Sequence, residues 1–398
     1  MKRTKLSDIA SLTVGFVGTM TQHYVDSGIP FLRSLNIKPF YIDNTDLKYI
    51  SASFSEELSK SILNENDIVI VRTGIPGTCC VVPKEYDGCN CADVVIVHPY
   101  FSKVNPYYLA AYINIWGQKQ ILNNKVGAIQ QHFNVHTAEE MLVFLPDKET
   151  QDHVANLICS VNEKIQVNER LCAELEAMAK TLYDYWFVQF DFPDENGKPY
   201  RTSGGAMEWC QELGREVPKG WKVRRLPEVS SVQYGFPLST EKFSSTGNRV
   251  VRIRDIIDNS YSALTNEAVG NEYFTQEDDL LVGMDGNFQM NYWTRNGDIV
   301  NQRITRIRKT VIPIMLIKMQ IQPYITAKID TVARSTVGHL GDADFSERYI
   351  LVPEGLDIDI FDAYLSKIVS LRKENQELSD LRDWLLPMLM NGQAQVEK

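Results

Sequence analysis

Four cysteines between residues 79 and 91 are the first candidates for chemistry, because thiolates bind zinc. Cys79 and Cys80 are adjacent, and Cys89 and Cys91 are separated by one residue. Four sulfur ligands can close a tetrahedral zinc site. Adjacent strand residues point to opposite faces, however, so Cys79 and Cys80 make a poor pair of ligands. The pattern favours a β-hairpin with small buried thiols over a metal site.

Three other segments contain residue types found in catalytic sites, but the sequence around them differs from that of such sites. Residues 105–108, Asn-Pro-Tyr-Tyr, are similar to the loop that holds a flipped base in amino-methyltransferases, but they contain one proline and lead into an amphipathic helix. Residues 193–198 have the acidic and basic residues of a metal-dependent nuclease, but they lie in a turn-rich segment. His132 and His136 lack the glutamate of a metalloprotease. These segments favour loops and surface contacts over catalysis.

Two cofactor motifs are also missing from the sequence. There is no glycine-rich loop after a strand for a methyl donor, and there is no Gly-x-x-x-x-Gly-Lys-Ser/Thr sequence for a nucleotide. We therefore predict that the chain has no catalytic site and binds neither a cofactor nor a metal.

The composition is that of an ordinary globular chain. Its 398 residues are 44% hydrophobic and 23% charged, which is enough for two or three domains. No apolar run reaches the roughly 18 residues of a membrane helix, and no long apolar segment follows the basic start. Seven cysteines, an odd number, fit a reducing compartment. We expect a cytoplasmic protein.

The net charge of −10 argues against a nucleic-acid partner, but its distribution weakens that argument. Residues 1–150 carry 13 basic against 15 acidic side chains, and residues 221–352 carry 16 against 15. The rest of the chain therefore carries −9 of the total. The two near-neutral segments remain able to form basic surfaces.

An internal repeat dominates the sequence. Residues 6–16 align without a gap to residues 226–236, and both segments end in Gly-Phe. Such self-similarity indicates a duplicated structural unit. Further matches follow in the same order: residues 31–33 with 250–252, 66–74 with 278–286, and 126–146 with 337–353.

Each copy is followed by a heptad pattern, which is typical of a coiled coil. Asn168 and Asn375 occupy equivalent positions, where a buried pair of amides would set the register; solvent-facing asparagines are the alternative. The positions are Val154, Val161, Asn168, Leu175 and Leu182 with partners Leu157, Leu171, Met178 and Tyr185, and then Phe361, Ile368, Asn375, Arg382 and Leu389 with partners Tyr364, Leu371, Leu378 and Leu385.

These patterns predict an α+β chain with two similar α/β domains in a pseudo-two-fold repeat, separated by two long helices that form an antiparallel coiled coil. Residues 191–220 are rich in proline, glycine and turn residues, which indicates a connector rather than a core element. The predicted segments are module 1 at 1–150, spacer helix 1 at 151–190, the linker at 191–220, module 2 at 221–353 and spacer helix 2 at 354–393.

Both modules contain side chains suited to reading DNA grooves, since arginine pairs with guanine, glutamine and asparagine pair with adenine, and cations bind phosphate. For any one of these side chains, the alternative interpretation is a surface position in a salt bridge. In module 1 the candidates are Arg72, Thr73, Gln130, Gln131 and His132; in module 2 they are Arg252, Arg254, Gln289, Asn291, Arg295, Arg303, Arg306 and Arg308.

Taken together, these features resemble the specificity (S) subunit of type I restriction-modification systems. The resemblance rests on the Leu-Ser-Asp-Ile-Ala opening, the strand at 66–74, the Leu145-Pro146 ending, the Asn168 coil and the linker at 185–221. It covers nearly the whole chain. One departure is that Asp285-Gly-Asn stands where module 1 has Arg72-Thr-Gly.

The resemblance implies a non-catalytic, sequence-specific DNA-binding subunit. Each module is expected to be a target-recognition domain that reads one half of a split site in double-stranded DNA, and the coil is expected to set the gap and dock two modification subunits. Those partners would bind S-adenosylmethionine and methylate adenine, while restriction subunits would use ATP and Mg to translocate and cleave. A coiled-coil scaffold for protein partners and a single-chain DNA methyltransferase are the alternatives.

Overall fold

The computed structural model describes residues 2–117, 120, 133–286, 288–332 and 338–390. They form two compact units, the first from residues 1–165 with 377–398 and the second from residues 166–376. Each unit contains one α/β module and part of both long helices. Among the described helices, none combines the length and apolar character that crossing a membrane requires.

Unit 1 is built on short strands that form two four-stranded sheets, ordered β2-β11-β8-β9 and β10-β4-β7-β3, and two strand pairs, β1-β12 and β5-β6. The strands are β1 (Lys2–Lys5), β2 (Ala10–Val14), β3 (Tyr24–Val25), β4 (Ile29–Leu32), β5 (Ile37–Lys38), β6 (Tyr41–Ile42), β7 (Lys48–Ile50), β8 (Ile68–Val71), β9 (Cys79–Val81), β10 (Asn90–Cys91), β11 (Val94–Pro99) and β12 (Leu142–Leu145). The helices are α1 (Ala52–Glu57), α2 (Pro106–Tyr112), α3 (Val135–Glu139) and α4 (Lys148–Tyr183).

Strand β8 shows why these sequences form strands. Its residues are β-branched and all of them are buried, which is expected when both faces of a sheet are covered. Ile68 and Ile70 pack in a core cluster with α2, whereas Val69 and Val71 pack in a second cluster on the opposite face. The sheet therefore divides the apolar interior of the module into two layers.

Unit 2 repeats this plan. Its four-stranded sheets run β16-β23-β20-β21 and β17-β19-β18-β22, with the strand pairs β13-β14 and β15-β24. The strands are β13 (Met207–Cys210), β14 (Arg215–Pro218), β15 (Lys222–Arg225), β16 (Ser230–Tyr234), β17 (Phe243–Ser244), β18 (Asn248–Val251), β19 (Ala263–Thr265), β20 (Leu280–Gly283), β21 (Met290–Tyr292), β22 (Ile299–Val300), β23 (Ile304–Lys309) and β24 (Tyr349–Val352). The helices are α5 (Leu226–Val229), α6 (Ile314–Val332), α7 (Ala343–Ser346) and α8 (Asp359–Met390).

The predicted duplication is confirmed in the strand order. Strands β2, β11, β8 and β9 have the same neighbours as β16, β23, β20 and β21, and β10 pairs with β4 in parallel as β22 pairs with β18. The turns before β8 and β20 also match. Asn66 and Asp278 both adopt a positive φ there, at 71° and 70°. This conformation is accessible to Asn and Asp at a modest cost.

The two long helices pair in antiparallel fashion within each unit. In unit 1, Arg382 Nη1 of α8 donates to Asn162 Oδ1 of α4 at 2.8 Å. In unit 2, Asn168 of α4 contacts Asn375 of α8, and Cys172, four residues further along α4, lies against the carbonyl of Ile368, which is seven residues earlier in α8. Partners therefore run in opposite directions along the two helices, as predicted.

The seam of α4 differs from the predicted one. Leu171 and Met178 were expected to pack, but they are 39% and 54% exposed. Cys172 and Ala179, one residue further on, are buried instead. Successive residues of a buried helix stripe are three or four positions apart, so the stripe can pass through Cys172 and Ala179 instead of Leu171 and Met178. The small side chains of Cys172 and Ala179 allow the two helices to approach closely.

The prediction that residues 191–220 form only a connector is wrong. Phe192 stacks on Trp221 with ring centroids 4.9 Å apart, and both are buried in the core of unit 2. The hairpin β13-β14 lies within the same segment. The prolines and glycines of this segment lie at the ends of short secondary-structure elements. The aromatic residues between them bury apolar surface.

Candidate nucleic-acid interface

A cleft of about 810 Å³ in module 2 brings together four of the predicted DNA-reading residues. Arg252 follows β18, Arg254 lies in the next turn, Gln289 precedes β21 and Arg303 precedes β23. Separate chain segments thus deliver three guanidinium groups and one amide to a single concave surface. Five additional polar residues line it: Ser239, Thr240, Asp285, Asn301 and Gln302.

Asp255 holds the segment that carries Arg252 and Arg254. Its buried Oδ2 accepts a hydrogen bond from the Arg252 backbone amide at 2.9 Å and from the Ser262 hydroxyl at 2.7 Å. Arg254 Nε in turn donates to Ser262 Oγ at 3.2 Å. The Arg252 guanidinium lies over the Phe243 ring, 5.6 Å from its centroid. Both arginines therefore start from a rigid turn, which lowers the entropy lost on binding.

Asp285, which lines this cleft, contacts two basic residues. Its Oδ2 lies 3.5 Å from Arg303 Nη1, and its Oδ1 lies 2.7 Å from His339 Nδ1. The side chain of Arg303 is 56% exposed. A carboxylate in this position can accept a hydrogen bond from the cytosine amino group, and it repels phosphate. This part of the cleft is therefore suited to a hydrogen-bond donor rather than to an anion.

Arg306 and Arg308 lie elsewhere, which corrects their prediction as DNA-reading residues. The Arg306 side chain is 4% exposed, and it donates to the Phe274 carbonyl at 3.3 Å. Arg308 makes two hydrogen bonds to the buried carboxylate of Asp279, at 2.7 and 2.8 Å. Burial lowers the pKa of Arg306, and Asp279 opposes that shift. Both guanidinium groups are bound within the module, although Arg306 Nε is buried without a hydrogen-bond partner among the described residues.

The repeat supplies independent support for a structural role of Arg308. At the equivalent place in module 1, His98 Nδ1 lies 2.7 Å from Asp67 Oδ1. Asp67 and Asp279 each precede the matching strands β8 and β20. In each module a basic residue of the neighbouring strand thus contacts the aspartate at the equivalent position. The basic residue is histidine in module 1 and arginine in module 2.

Asn291 and Arg295 also have internal partners and do not line the cleft. Asn291 Nδ2 donates to the carbonyls of Ile256 and Ile257 at 3.1 and 2.8 Å. Arg295 Nε donates to Asp298 at 3.0 Å. Their side chains connect loops, so the cleft retains Arg252, Arg254, Gln289 and Arg303 of the predicted set.

Module 1 is described less completely at its candidate site. Arg72 and Thr73 are half-buried, and Arg72 Nε donates to the Phe133 carbonyl at 3.1 Å. Gln130, Gln131 and His132 lie outside the described residues. The described part of the candidate site is therefore the loop that follows β8. In the repeat, this loop corresponds to the loop of module 2 that contains Asp285.

Several members of the cleft were not predicted from the sequence, among them Asp285 and Thr240. Asp285 was noted only as a departure from the first repeat, and Thr240 comes from a segment with no distinguishing pattern. The repeat alignment was the available signal for Asp285, since this residue falls in the segment that aligns with Arg72 and Thr73, both predicted contacts. No comparable signal existed for Thr240.

The alternative catalytic segments have structural partners. The Asn105 side chain caps α2 by accepting the Tyr107 amide at 2.9 Å. Asp194 Oδ1 accepts the amides of Asn196 and Lys198, both at 2.8 Å, within a turn. Each polar group thus stabilises local backbone.

The cysteine cluster is apolar core. Cys79 and Cys80 point to opposite sides of their sheet, and burial raises the pKa of Cys89 to about 12. Within the described ranges there is no group of three or more His, Cys, Asp or Glu side chains placed to bind a metal.

Comparison with known proteins gives a consistent picture. No protein-family model matches the sequence. The MjaIX type I restriction enzyme specificity subunit of Methanocaldococcus jannaschii is 23% identical over 282 residues, which are 66% of this chain and 62% of that protein. The HindI specificity subunit of Haemophilus influenzae is 22% identical over 339 residues, which are 69% and 73% of the two chains. The chain resembles type I restriction specificity subunits.

The fold agrees with this resemblance. The crystal structure of the type I restriction-modification S subunit from M. genitalium matches 98% of this chain and 95% of its own, with a TM-score of 0.53 and 13% identity. The chain spans just under two thirds of the MjaIX subunit's length. The shared fold is that of a mixed α/β repeat with long helices, as predicted.

Proposed function

We propose that this chain is the DNA-reading specificity subunit of a type I restriction-modification complex. The cleft that gathers Arg252, Arg254, Gln289 and Arg303 is the main observation behind the proposal. Arginine can bind guanine or phosphate, and glutamine can bind adenine with two hydrogen bonds. The resemblance to specificity subunits points the same way.

In this proposal residues 1–150 and 221–353 are the two target-recognition modules, and each reads one half of a split double-stranded site. The different residues at Asp285 and Arg72 fit different half-sites. The antiparallel helices set the gap, because one heptad of helix is about 10 Å long, or about three base pairs. Two tethered contacts also strengthen binding.

An exposed apolar stripe along α4 and the helical turn that follows it supports docking of two modification subunits. Val167, Leu171, Met178 and Tyr185 are each at least 38% exposed, and they follow one another at four- and seven-residue spacing. Apolar side chains at this spacing line one face of a helix, where a partner helix can pack. S-adenosylmethionine, ATP and Mg would then belong to the modification and restriction subunits, and this chain would be non-catalytic.

The same stripe favours one alternative, a coiled-coil scaffold that binds proteins without reading DNA. The DNA-reading proposal and this alternative differ in what happens to methylation. We therefore suggest mapping methylated adenines across the genome of a strain with and without the gene.

Loss of methylation at one bipartite motif would support the specificity subunit. A second strain, in which only residues 236–309 are exchanged for those of a relative, should alter one half of the motif and retain the other. An unchanged methylation pattern in both strains would contradict the proposal.

A further inference from the structure

A second cleft in unit 2, of about 880 Å³, is separate from the DNA-reading cleft in its lining. It lies between the end of α4, the turn of the β13-β14 hairpin and α6. Its volume is in the range of sites for small organic molecules. The DNA-reading proposal does not use it.

Much of the wall is apolar or aromatic. Val188, Leu213 and Met315 contribute aliphatic surface, and Tyr183 and Tyr292 contribute rings. Such surface favours an apolar ligand body, because its burial releases water. A bare phosphate or a strongly hydrated ion would gain little from it.

Lys318 is the exceptional residue in this wall. It comes from α6, and its Nζ lies 4.3 Å from the centroid of the Tyr292 ring. Among the described residues no carboxylate lies within 4.0 Å of that ammonium group. Burial lowers the pKa of Lys318, as expected for a cation with little water around it.

The nearby acids are already engaged. Glu176 binds Arg372 Nη2 at 2.7 Å, and Asp184 pairs with Lys180. Arg215, another lining residue, lies with its guanidinium 5.1 Å from the Phe190 ring centroid. The basic side chains that line the cleft therefore outnumber its carboxylates.

We propose that this cleft binds a small organic anion with an aromatic or aliphatic body, whose charged group contacts Lys318. A partly buried ammonium group is stabilised when an anion replaces the hydration that it has lost. The ligand body would lie against Met315 and Tyr183, and so would connect α4 with module 2. Occupancy is expected to raise the melting temperature of the full chain.

Naphthalene-2-sulfonate is a suitable probe, with the neutral naphthalene-2-methanol as its match. Calorimetry on the full chain should show one bound sulfonate and binding of the neutral probe that is weaker by about tenfold or more, the size of one charged hydrogen bond. Lys318→Met should weaken sulfonate binding by a similar factor and leave the neutral probe unaffected. Lys219→Met, at an exposed lysine, should change neither.

Thr326→Trp is a second variant, which fills the cleft from an exposed position of α6 and should abolish binding of both probes. Equal binding of sulfonate to the wild type and to Lys318→Met would overturn the anion site. Equal binding of the two probes would mean an apolar surface for a protein partner and would overturn it too. DNA binding, measured in parallel, should be the same in all variants, so the outcome is independent of the DNA-reading proposal.

Discussion

Asn168 and Asn375 contact each other across the two long helices of unit 2: Asn168 Nδ2 donates to Asn375 Oδ1 at 2.8 Å. Asn168 is fully buried, and Nδ2 also lies 2.9 Å from Glu374 Oε2. Its own carbonyl, Oδ1, is buried without a hydrogen-bond partner among the described residues. The pair that the heptad pattern aligned is thus in contact, and its role in setting the register stays a prediction.

The double substitution Asn168→Leu with Asn375→Leu should stabilise the helix pair while loosening its register. Removing a buried amide with an unsatisfied oxygen should raise the free energy of unfolding by about 1–2 kcal/mol. Urea unfolding measures this, and binding to DNA sites with altered gaps measures the register. Glu174→Gln, at an exposed position of α4, serves as the control. A strict gap preference retained in the double variant would exclude the register role.

Arg303→Ala should weaken DNA binding without affecting stability. Its guanidinium is 56% exposed in the cleft, and if it contacts phosphate, its loss reduces the slope of log K against log salt by about 0.9. Binding titrations at several salt concentrations give the slope. A slope identical to that of the wild type would remove Arg303 from the phosphate contacts.

Arg306→Met should have the opposite effects, lowering stability and leaving the salt dependence of DNA binding unchanged. This side chain is buried near Asp279, with Nη1 to Oδ2 at 3.9 Å. Breaking a buried charge pair costs about 3 kcal/mol or more, so the melting temperature should fall. The salt dependence of DNA binding by the folded fraction should not change. A normal melting temperature combined with a reduced salt slope would restore Arg306 as a DNA contact.

Asp285→Asn should reduce selectivity more than affinity. Without the negative charge, Arg303 is freer to bind phosphate and the cleft attracts any DNA more strongly. We expect the ratio of specific to non-specific affinity to fall about tenfold, the cost of one lost base contact. Asp258→Asn, an exposed acid in the same module, is the matched control. If both variants change the ratio equally, Asp285 acts only through net charge.

Met178→Glu should prevent binding of modification subunits while leaving the fold intact. The side chain is exposed, so the chain alone should keep its melting temperature, whereas a partner helix would have to bury an unpaired charge. Co-purification of tagged subunits provides the measurement. Ala173→Glu, which adds the same charge at an exposed position on another face of the same helix, should retain the partners. Full co-purification of the Met178 variant would move the docking surface elsewhere.

Thiol labelling tests the apolar character of the cysteine cluster. Burial raises the pKa of Cys89 to about 12 and that of the half-buried Cys159 to about 11. Because the thiolate is the reactive form, alkylation at pH 8 should be slow at both and should increase as the pH rises. Mass spectrometry of labelled peptides should find Cys159 modified first. Rapid labelling of Cys89 in the native chain would contradict its burial.

The duplicated architecture could be read from the residues alone. The Gly-Phe endings at 16 and 236, the apolar strands β8 and β20, and the aligned asparagines are local patterns with matching spacing. Local patterns report secondary structure because each depends on neighbours a few positions away. The α+β repeat and the antiparallel helices follow from them.

The roles of the individual arginines could not be read in the same way. Arg303, Arg306 and Arg308 lie within six residues of one another, yet Arg303 faces a cleft while the other two are anchored near Asp279. That aspartate precedes β20, the strand that pairs with β23. Whether a cation is free for DNA or neutralised internally depends on such long-range pairing, which spacing within one strand does not contain. For the same reason, the composition of residues 191–220 indicated only a connector, whereas the stacking of Phe192 on Trp221 makes Phe192 part of the core of unit 2.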